Sequence, residues 1–116
     1  MSIQQGSYFE NSACGYLEGK GYRIKTRNFR SYKGEIDIIA ENEGWLCFIE
    51  VKGRSFPFKY FPYEAVDERK IEKIKKTAMV YLKKTGSFDT RIRYDVLSIL
   101  RFEEALEFYL LKGAFR

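Results

Sequence analysis

Two apolar runs separated by a short polar turn constrain the fold of this chain more than any other feature. Residues Glu35–Ala40 (EIDIIA) and Trp45–Lys52 (WLCFIEVK) are rich in β-branched and aromatic side chains, and only the tetrapeptide ENEG lies between them. Such runs around a glycine-containing turn are typical of a β-hairpin. A two-residue turn centred on Glu43-Gly44 would place Asp37 directly opposite Glu50, whereas other turn lengths would shift this register.

Side chains alternate between the two faces of a strand, so each run predicts two distinct faces. In the second run, Leu46, Phe48, Glu50 and Lys52 are expected to share a face. In the first run, Glu35, Asp37 and Ile39 are expected on one face, with Ile36, Ile38 and Ala40 on the other.

The remaining periodicity predicts a single α/β domain over residues 1–116, a length that fits one compact domain. The order is αβββαβ, in which the first three strands form an antiparallel meander and a helical crossover makes the third and fourth strands parallel. Residues 106–112 could form a fifth strand, although 102–111 also tolerates a helix. The expected helices span about 8–20 and 67–84, and the expected strands 22–30, 35–40, 45–52 and 92–100.

Capping signals mark both helices. Ser7 and Glu10 have capping-box spacing, and Gly21 is placed for a left-handed cap at the other end of the first helix. Asp67 suits the N-cap of the second helix, and Gly86 follows its end. Between strand three and this helix, residues 53–66 contain both prolines and five aromatic residues, which predicts a long loop.

Composition and charge exclude histidine-dependent catalysis and indicate a polyanionic partner. The chain has no histidine, which excludes Ser-His-Asp catalysis and His-ligated zinc, and it carries a net charge of +5. Residues 20–33 contain six basic residues and no acidic one, and residues 69–84 contain seven basic residues against one glutamate. Such clusters suit a polyanion such as DNA or RNA, although a lysine-rich helix face is often simply solvated.

The sequence also indicates where the protein works. No apolar run approaches the roughly 20 residues needed to cross a bilayer, and the N-terminus lacks the features of a signal peptide. Cys14 and Cys47 are isolated among apolar residues, as expected for free thiols in a reducing compartment. We therefore expect a cytoplasmic protein with no membrane partner.

Asp37, Glu50 and Lys52 form the candidate site. Both carboxylates lie inside apolar runs, where burying them is costly unless a cation neutralises them. Mg²⁺ prefers one or two carboxylates together with waters and phosphate oxygens, which this pair can provide. Lys52 could orient or deprotonate an attacking water, or stabilise developing phosphate charge. The alternative is an ordinary ion pair of Lys52 with Asp37 or Glu50, since a short D…ExK pattern also arises by chance.

The segments GEIDII (34–39) and FIEVKGR (48–54) resemble the GEIDIIA…FVEVKxR signature of the YraN-like proteins. These small bacterial proteins form a family within the restriction-endonuclease-like PD-(D/E)XK superfamily. Further similar motifs run over nearly the whole chain. These are ENSA (10–13) with YL (16–17) and Gly21, RNFR (27–30), the helix Lys70 to Leu82, RYDV (93–96) and the terminal Ala114-Phe115. Departures are Gly53, where a small polar residue is common, and the bulky aromatic loop 56–63.

This resemblance implies a restriction-endonuclease-like core, a mixed sheet flanked by helices, with Asp37, Glu50 and Lys52 as motif residues. By analogy with Holliday-junction resolvases, it implies that Glu10 joins the metal site, in addition or as an alternative to its capping role. Glu35 is expected at the edge of the site, and Arg93 is expected to pair with Asp95. The candidate nucleic-acid contacts are Arg27, Arg30, Arg54 and Lys70.

Two functions follow as hypotheses. The first is a Mg²⁺- or Mn²⁺-dependent endonuclease acting on DNA, including branched or structured DNA. The second is a nucleic-acid-binding module that keeps the nuclease fold with little or no catalysis. A protein-interaction scaffold built on the aromatic loop is a weaker third. A homodimer stays open, since enzymes that cut two strands are commonly dimeric.

Overall fold

A computed structural model describes residues 3–58 and 66–116, with side chains from residue 7 onwards. Its five strands form one sheet in the order β1-β2-β3-β4-β5, in which β3 and β4 are parallel and the other neighbours antiparallel. The predicted mixed α/β sheet is confirmed, and its C-terminal segment is a strand rather than a helix. The elements are α1 (Ile3–Gly19), β1 (Arg23–Ser31), β2 (Gly34–Asn42), β3 (Trp45–Ser55), α2 (Glu68–Thr85), β4 (Arg91–Phe102) and β5 (Ala105–Phe115).

Helix α1 begins earlier than its capping signal predicted. It starts at Ile3, so Ser7 and Glu10 lie inside the helix and the predicted capping box is wrong. A capping serine needs a non-helical backbone, and here the preceding residues continue the helix instead. The predicted left-handed end is confirmed, because Gly21 has a φ of 91° and the Tyr22 N–H donates to the Leu17 carbonyl at 2.9 Å.

Helix α2 has the caps that the sequence predicted. The Asp67 side chain accepts a hydrogen bond from the Lys70 N–H, and Gly86 adopts the left-handed conformation with a φ of 67°. The buried stripe faces β2, and Ile71, predicted to belong to it, is only half-buried. The buried residues of α2 are Ile74, Thr77, Ala78, Tyr81 and Leu82.

The two helices cover opposite faces of the sheet. The core on the α1 face contains Phe9 and Leu17 packed with Ile38 and Ile49. The core on the α2 face contains Phe48 and the stripe of that helix. Burial of these apolar faces supplies the main stabilisation of a three-layer α/β arrangement.

The predicted hairpin between β2 and β3 is confirmed, and its turn has two residues, one of the lengths that the sequence left open. Its ladder runs from the pair Asn42 and Trp45 to the pair Ile38 and Ile49, in the register that this turn produces. Asp37 and Glu50 are therefore the next residues on each strand, immediately after the last ladder pair. This position places both carboxyl-bearing residues at the same end of the hairpin.

Strand alternation breaks at Asp37. Ile38 lies in the α1-side core, but Ile36 lies in the α2-side core together with Ile39, so the prediction that Ile36 and Ile38 share a face is wrong. Asn28 on the neighbouring strand, between the pairs that flank Asp37, has a φ of 53°. The change of facing at Asp37 therefore coincides with a left-handed backbone conformation on the neighbouring strand.

Strand β3 is longer than predicted and includes the first residues of the expected loop. Gly53 is buried against Phe9 of α1, and a Cβ at this position would overlap the Phe9 ring. The glycine that departs from the family pattern therefore allows α1 to approach the sheet. Of the predicted loop and its aromatic cluster 56–63, residues 59–65 lie outside the described residues.

A buried polar network joins β4 to Tyr22, the residue that precedes β1. Asp95 is completely buried and accepts hydrogen bonds from the Arg93 guanidinium (2.8 and 3.0 Å) and the Tyr22 hydroxyl (2.9 Å). The predicted Arg93–Asp95 pair is thus confirmed as a structural feature. Among the residues that the structure describes, no helix has the length and apolar character required to cross a bilayer.

Candidate functional site

An open cavity of about 360 Å³ lies where the irregular part of β2, the second half of β3 and the start of α2 meet. It combines carboxylates with cationic side chains within one small space. The sequence-predicted Asp37, Glu50, Lys52, Arg54 and Lys70 all line it, and Glu35 lies there as the predicted edge residue.

Asp37 is oriented by the neighbouring strand. Its Oδ2 accepts a hydrogen bond of 2.8 Å from the backbone N–H of Val51, the residue between Glu50 and Lys52. The half-buried Asp37 and the buried Glu50 thus approach each other across the end of the hairpin, with the Glu50 residue only 9% exposed.

The cavity disfavours two negative charges. Burial, followed by the charge of Glu50, raises the pKa of Asp37 from its usual 3.8 to about 7, although the Val51 hydrogen bond and the Lys70 charge oppose this shift. A carboxyl group with this pKa exchanges its proton near neutral pH. A bound cation would favour its ionised form.

Lys70 places its positively charged ammonium group in the cavity. Its Nζ lies 3.0 Å from Glu50 Oε1, and its side chain is 51% exposed whereas that of Glu50 is 10% exposed. Burial alone would lower the pKa of Lys70, but the hydrogen bond to Glu50 and the charges of Asp37 and Glu35 raise it above its usual value. The role of Lys70 as a phosphate contact stays a prediction, and its ion pair in the structure is with a carboxylate of the site.

Lys52 and Arg54 follow Glu50 along β3. Both are half-buried and line the cavity, and the Arg54 Nη1 donates to the Gly53 carbonyl at 2.8 Å. Leu46 and Phe48 pack toward α2, and Glu50 contacts Lys70 of that helix, which agrees with the predicted shared face of these residues. Three cationic side chains therefore surround the carboxylate pair.

Glu10 lies elsewhere. Its Oε1 accepts hydrogen bonds from Arg27 Nε at 2.8 Å and Asn28 Nδ2 at 2.9 Å, which ties α1 to β1. Glu10 is not among the cavity-lining residues, and its role as a metal ligand stays a prediction. Arg27 is engaged at the same place, and Arg30 forms an exposed ion pair of 3.3 Å with Glu35 at the edge of the cavity.

The carboxylate pair fits a hard divalent cation. Mg²⁺ takes one or two carboxylates and keeps several waters, and Asp37 with Glu50 provides that donor set. Within residues 3–58 and 66–116, no group of three or more cysteine, aspartate or glutamate side chains is arranged around one metal position. A cation here would therefore rely on two protein ligands and on oxygen atoms from solvent or substrate.

Two contacts in the site could not be predicted from the sequence. The ion pair between Lys70 and Glu50 joins residues 20 positions apart on a helix and a strand, and no spacing rule connects them. The Val51 N–H that orients Asp37 is a backbone group with no side-chain signature. The one sequence signal that bears on this ion pair is the Asp67 N-cap, which sets where α2 begins and so the position of Lys70 in its first turn.

Comparison with known proteins identifies the family. The model of the uncharacterised protein family UPF0102 matches residues 9–99. A UPF0102 protein of Persephonella marina is 43% identical over 96 residues, which cover 83% of each chain. A UPF0102 protein of Cytophaga hutchinsonii is 45% identical over 97 residues, covering 84% of this chain and 85% of the relative. One of Acetivibrio thermocellus is 39% identical over 116 residues, covering 95% and 89%. The chain therefore belongs to the uncharacterised protein family UPF0102, the YraN-like proteins that its motifs predicted.

Proposed function

We propose that this protein is a metal-dependent endonuclease that hydrolyses phosphodiester bonds in DNA, with branched or structured DNA as the expected substrate class. One observation carries the proposal: Asp37 and Glu50 meet in an open cavity that also contains Lys52, Arg54 and Lys70. Two carboxylates suit a divalent cation, and the surrounding cations suit the phosphate groups of a nucleic acid. The PD-(D/E)XK relationship implied by the motifs agrees with this arrangement.

The carboxylates would hold Mg²⁺ or Mn²⁺. When bound, a divalent cation supplies Lewis acidity toward a phosphoryl oxygen and lowers the pKa of water. The Val51 N–H keeps the Asp37 carboxylate turned toward β3, so that this ligand is oriented before a cation arrives. Pre-orientation reduces the entropy that binding would otherwise cost.

Lys52 is the residue that we assign to the reacting groups. From its position two residues after Glu50, its ammonium would orient the attacking water or stabilise negative charge on the phosphate in the transition state. Arg54 would contact a neighbouring phosphate through its planar guanidinium. Lys70 would exchange its contact with Glu50 for a contact with a phosphate oxygen once a cation neutralises Glu50.

The net charge of +5 supports a polyanionic partner, and the two cysteines support a reducing location. Cys14 and Cys47 are both free and buried, as is usual for proteins of the cytoplasm. We therefore include a cytoplasmic location in the proposal. The names of the UPF0102 relatives state no activity, so the assignment depends on the site.

A non-catalytic nucleic-acid-binding module is the second candidate. It is favoured by the engagement of Glu10 with Arg27 and Asn28, which leaves two carboxylates rather than three for a cation. Under this alternative, Lys70 serves permanently as the counter-ion of Glu50. Such a protein would bind DNA in a salt-sensitive manner and cleave nothing with any divalent metal.

A cleavage panel separates the two candidates. Labelled single-stranded, duplex, flap and four-way-junction DNA, and RNA, are incubated with the protein in Mg²⁺, Mn²⁺ or EDTA. We expect metal-dependent cleavage by the wild-type protein, and its loss in Asp37→Ala and in Lys52→Ala. Asp89→Ala and Lys75→Ala are matched controls, because both positions lie outside the cavity lining and carry the same charges.

The controls also exclude a contaminating nuclease, since all variants are purified in the same way. Cleavage that survives both site substitutions would overturn the assignment of the site. Tight DNA binding without cleavage in any metal would establish the binding module instead.

A further inference from the structure

A second concave surface, which we call the basic groove, lies between the β1–β2 turn and the outer face of α2. Its volume is about 530 Å³, and it is separate from the carboxylate cavity. The turn contributes an aromatic ring and an ammonium group, and the helix contributes three ammonium groups and a thioether. The groove residues used below are Tyr32, Lys33, Lys76, Met79, Lys83 and Lys84.

The two walls of the basic groove are held together by close packing. Gly34, which follows the turn, has a φ of 148°, and a Cβ at this position would lie 3.0 Å from Thr77 Oγ1 and 3.7 Å from the Lys73 Cβ. The hydroxyl of Thr77 is itself fixed by a hydrogen bond of 2.7 Å to the Lys73 carbonyl. Glycine at position 34 therefore lets the turn approach α2, and the shape of the groove follows from this contact.

The electrostatics of the basic groove select an anionic ligand. Four lysines line it and no carboxylate does. Across the part of the chain that the structure describes, no ion pair links any of these four lysines to an acidic side chain. Ammonium groups that are not neutralised within the protein attract phosphate groups and release counter-ions when they bind them.

The apolar part of the basic groove selects among polyanions. Tyr32 is 86% exposed and Met79 is 45% exposed, so both offer unusual apolar area to solvent. The Lys33 Nζ lies 5.1 Å from the centre of the Tyr32 ring, which places a cation beside an aromatic surface. A ring flanked by ammonium groups matches an unpaired base next to phosphates, whereas the bases of a duplex are stacked and inaccessible.

Two elements, α2 and β2 with the turn before it, connect the basic groove to the carboxylate cavity. Helix α2 carries Lys70 in the cavity and Lys83 in the groove, about 20 Å apart along the axis at about 1.5 Å per residue. The β1–β2 turn carries Lys33 in the groove and β2 carries Asp37 in the cavity, about 13 Å apart along the chain at about 3.3 Å per residue. One nucleic-acid strand can therefore reach both surfaces.

We propose that the basic groove binds a single-stranded segment of nucleic acid, with Tyr32 stacking on an unpaired base and Lys33, Lys76, Lys83 and Lys84 contacting its phosphates. In taking nucleic acid as the ligand, this inference rests on the proposed function. It adds that the substrate contains an unpaired segment next to the bond that enters the carboxylate cavity.

The test measures binding without metal. Fluorescence anisotropy in EDTA compares a labelled single-stranded oligonucleotide with a blunt duplex of the same length. We expect Tyr32→Ala to weaken single-strand binding by about 5- to 100-fold, as base–aromatic stacking predicts, and to leave duplex binding unchanged. Tyr32→Phe keeps the ring and should bind within about twofold of the wild-type protein. Because Tyr32 is exposed, neither substitution should affect folding.

The lysines are tested through the salt dependence of binding. Lys76→Ala combined with Lys83→Ala should reduce the slope of log K against log salt by about 1.4, the value for two phosphate contacts on a single strand. Lys20→Ala combined with Lys112→Ala is the matched control, since both lysines are exposed and lie on the α1 and β5 side. This control should leave the slope unchanged.

Several outcomes would overturn the inference. Single-strand binding by Tyr32→Ala equal to that of the wild-type protein would exclude stacking. An equal loss of slope in the control pair would show that binding depends on the net charge of the protein and not on the lysines of the basic groove.

The proposed function can fail independently. If Asp37→Ala retains metal-free binding and no protein cleaves any substrate, then the endonuclease assignment fails and the basic groove stands. If the wild-type protein cleaves with metal but its binding does not depend on Tyr32, then only the groove assignment fails.

Discussion

Replacement of Asp37 by asparagine should stabilise the metal-free protein, even though it should remove the proposed activity. The substitution keeps an oxygen that can accept the hydrogen bond from the Val51 N–H, which is 2.8 Å from Asp37 Oδ2. It removes the negative charge that burial and Glu50 disfavour. A residue that destabilises its own fold is expected where function requires it.

The magnitude follows from the pKa of Asp37. The value rises from 3.8 to about 7 in the folded protein. At about 1.4 kcal/mol per pKa unit, this difference corresponds to roughly 4 kcal/mol of lost stability at pH well above 7. Asp37 is only half-buried in an open cavity, and solvent screening there reduces our expectation to about 2 kcal/mol.

The sign of the pH dependence is specific. Below pH 3.8 the carboxyl group is protonated in both states, so it adds no cost. Between pH 3.8 and about 7 the unfolded chain releases this proton first, so the free energy of unfolding falls as the pH rises. Above about pH 7 both states are ionised, and the cost is constant.

Urea denaturation in EDTA, followed by the fluorescence of the single tryptophan, Trp45, measures this effect at pH 4, 6 and 8. We expect Asp37→Asn to exceed the wild-type free energy of unfolding by about 2 kcal/mol at pH 8 and by little at pH 4. Asp89→Asn, at an exposed position, is the control and should change stability by less than about 0.5 kcal/mol. An Asp37→Asn variant that is less stable than the wild type at pH 8 would refute the reasoning, as would a difference that does not depend on pH.

Two further predictions concern the cation in the cavity and the packing beneath it. Lys70→Met should raise the affinity for Mg²⁺ in calorimetric titration, because it removes the ammonium that lies 3.0 Å from Glu50; unchanged or weaker affinity would contradict this. Gly53→Ala should destabilise the fold by about 1–3 kcal/mol in urea denaturation, because its Cβ would overlap the buried Phe9 ring. Its control is Gly15→Ala on the exposed side of α1, where no atom lies within 4 Å of the added Cβ. This substitution should stabilise the fold by about 0.5–1 kcal/mol, and equal effects of the two substitutions would refute the packing argument.

The hairpin that carries the site was predictable because two local signals agree. The apolar runs around Asp37 and Glu50 indicate two strands, and the Glu43-Gly44 turn determines how they pair, since Gly44 accepts the positive φ of 83° that the turn requires. Alternation then predicts which residues share a face with Glu50. It fails at Ile36, which lies in the α2-side core although alternation places it on the other face. The left-handed backbone of Asn28 belongs to the neighbouring strand β1, and the sequence of β2 carries no sign of it.

The start of α1 and the partners of the charged residues were not predictable for a different reason. Ser7 and Glu10 have the spacing of a cap, but the residues before them also tolerate a helix, and the longer helix forms. The contacts of Glu10 with Arg27 and of Lys70 with Glu50 depend on how the helices cross the sheet. Such distances arise from packing of the whole domain, so motif spacing alone does not predict them.

The central claim is that Asp37, Glu50 and Lys52 form a metal-dependent nuclease site. The most direct test is the rate of strand cleavage of a labelled four-way junction and a labelled flap at increasing Mg²⁺ concentrations, for the wild-type protein and for Glu50→Gln. We expect wild-type cleavage that requires Mg²⁺ and saturates as its concentration rises. The cleavage rate of Glu50→Gln should be lower by about 100-fold or by a larger factor. Equal rates for the two proteins, or no wild-type cleavage of either substrate in Mg²⁺ or Mn²⁺, would contradict the claim.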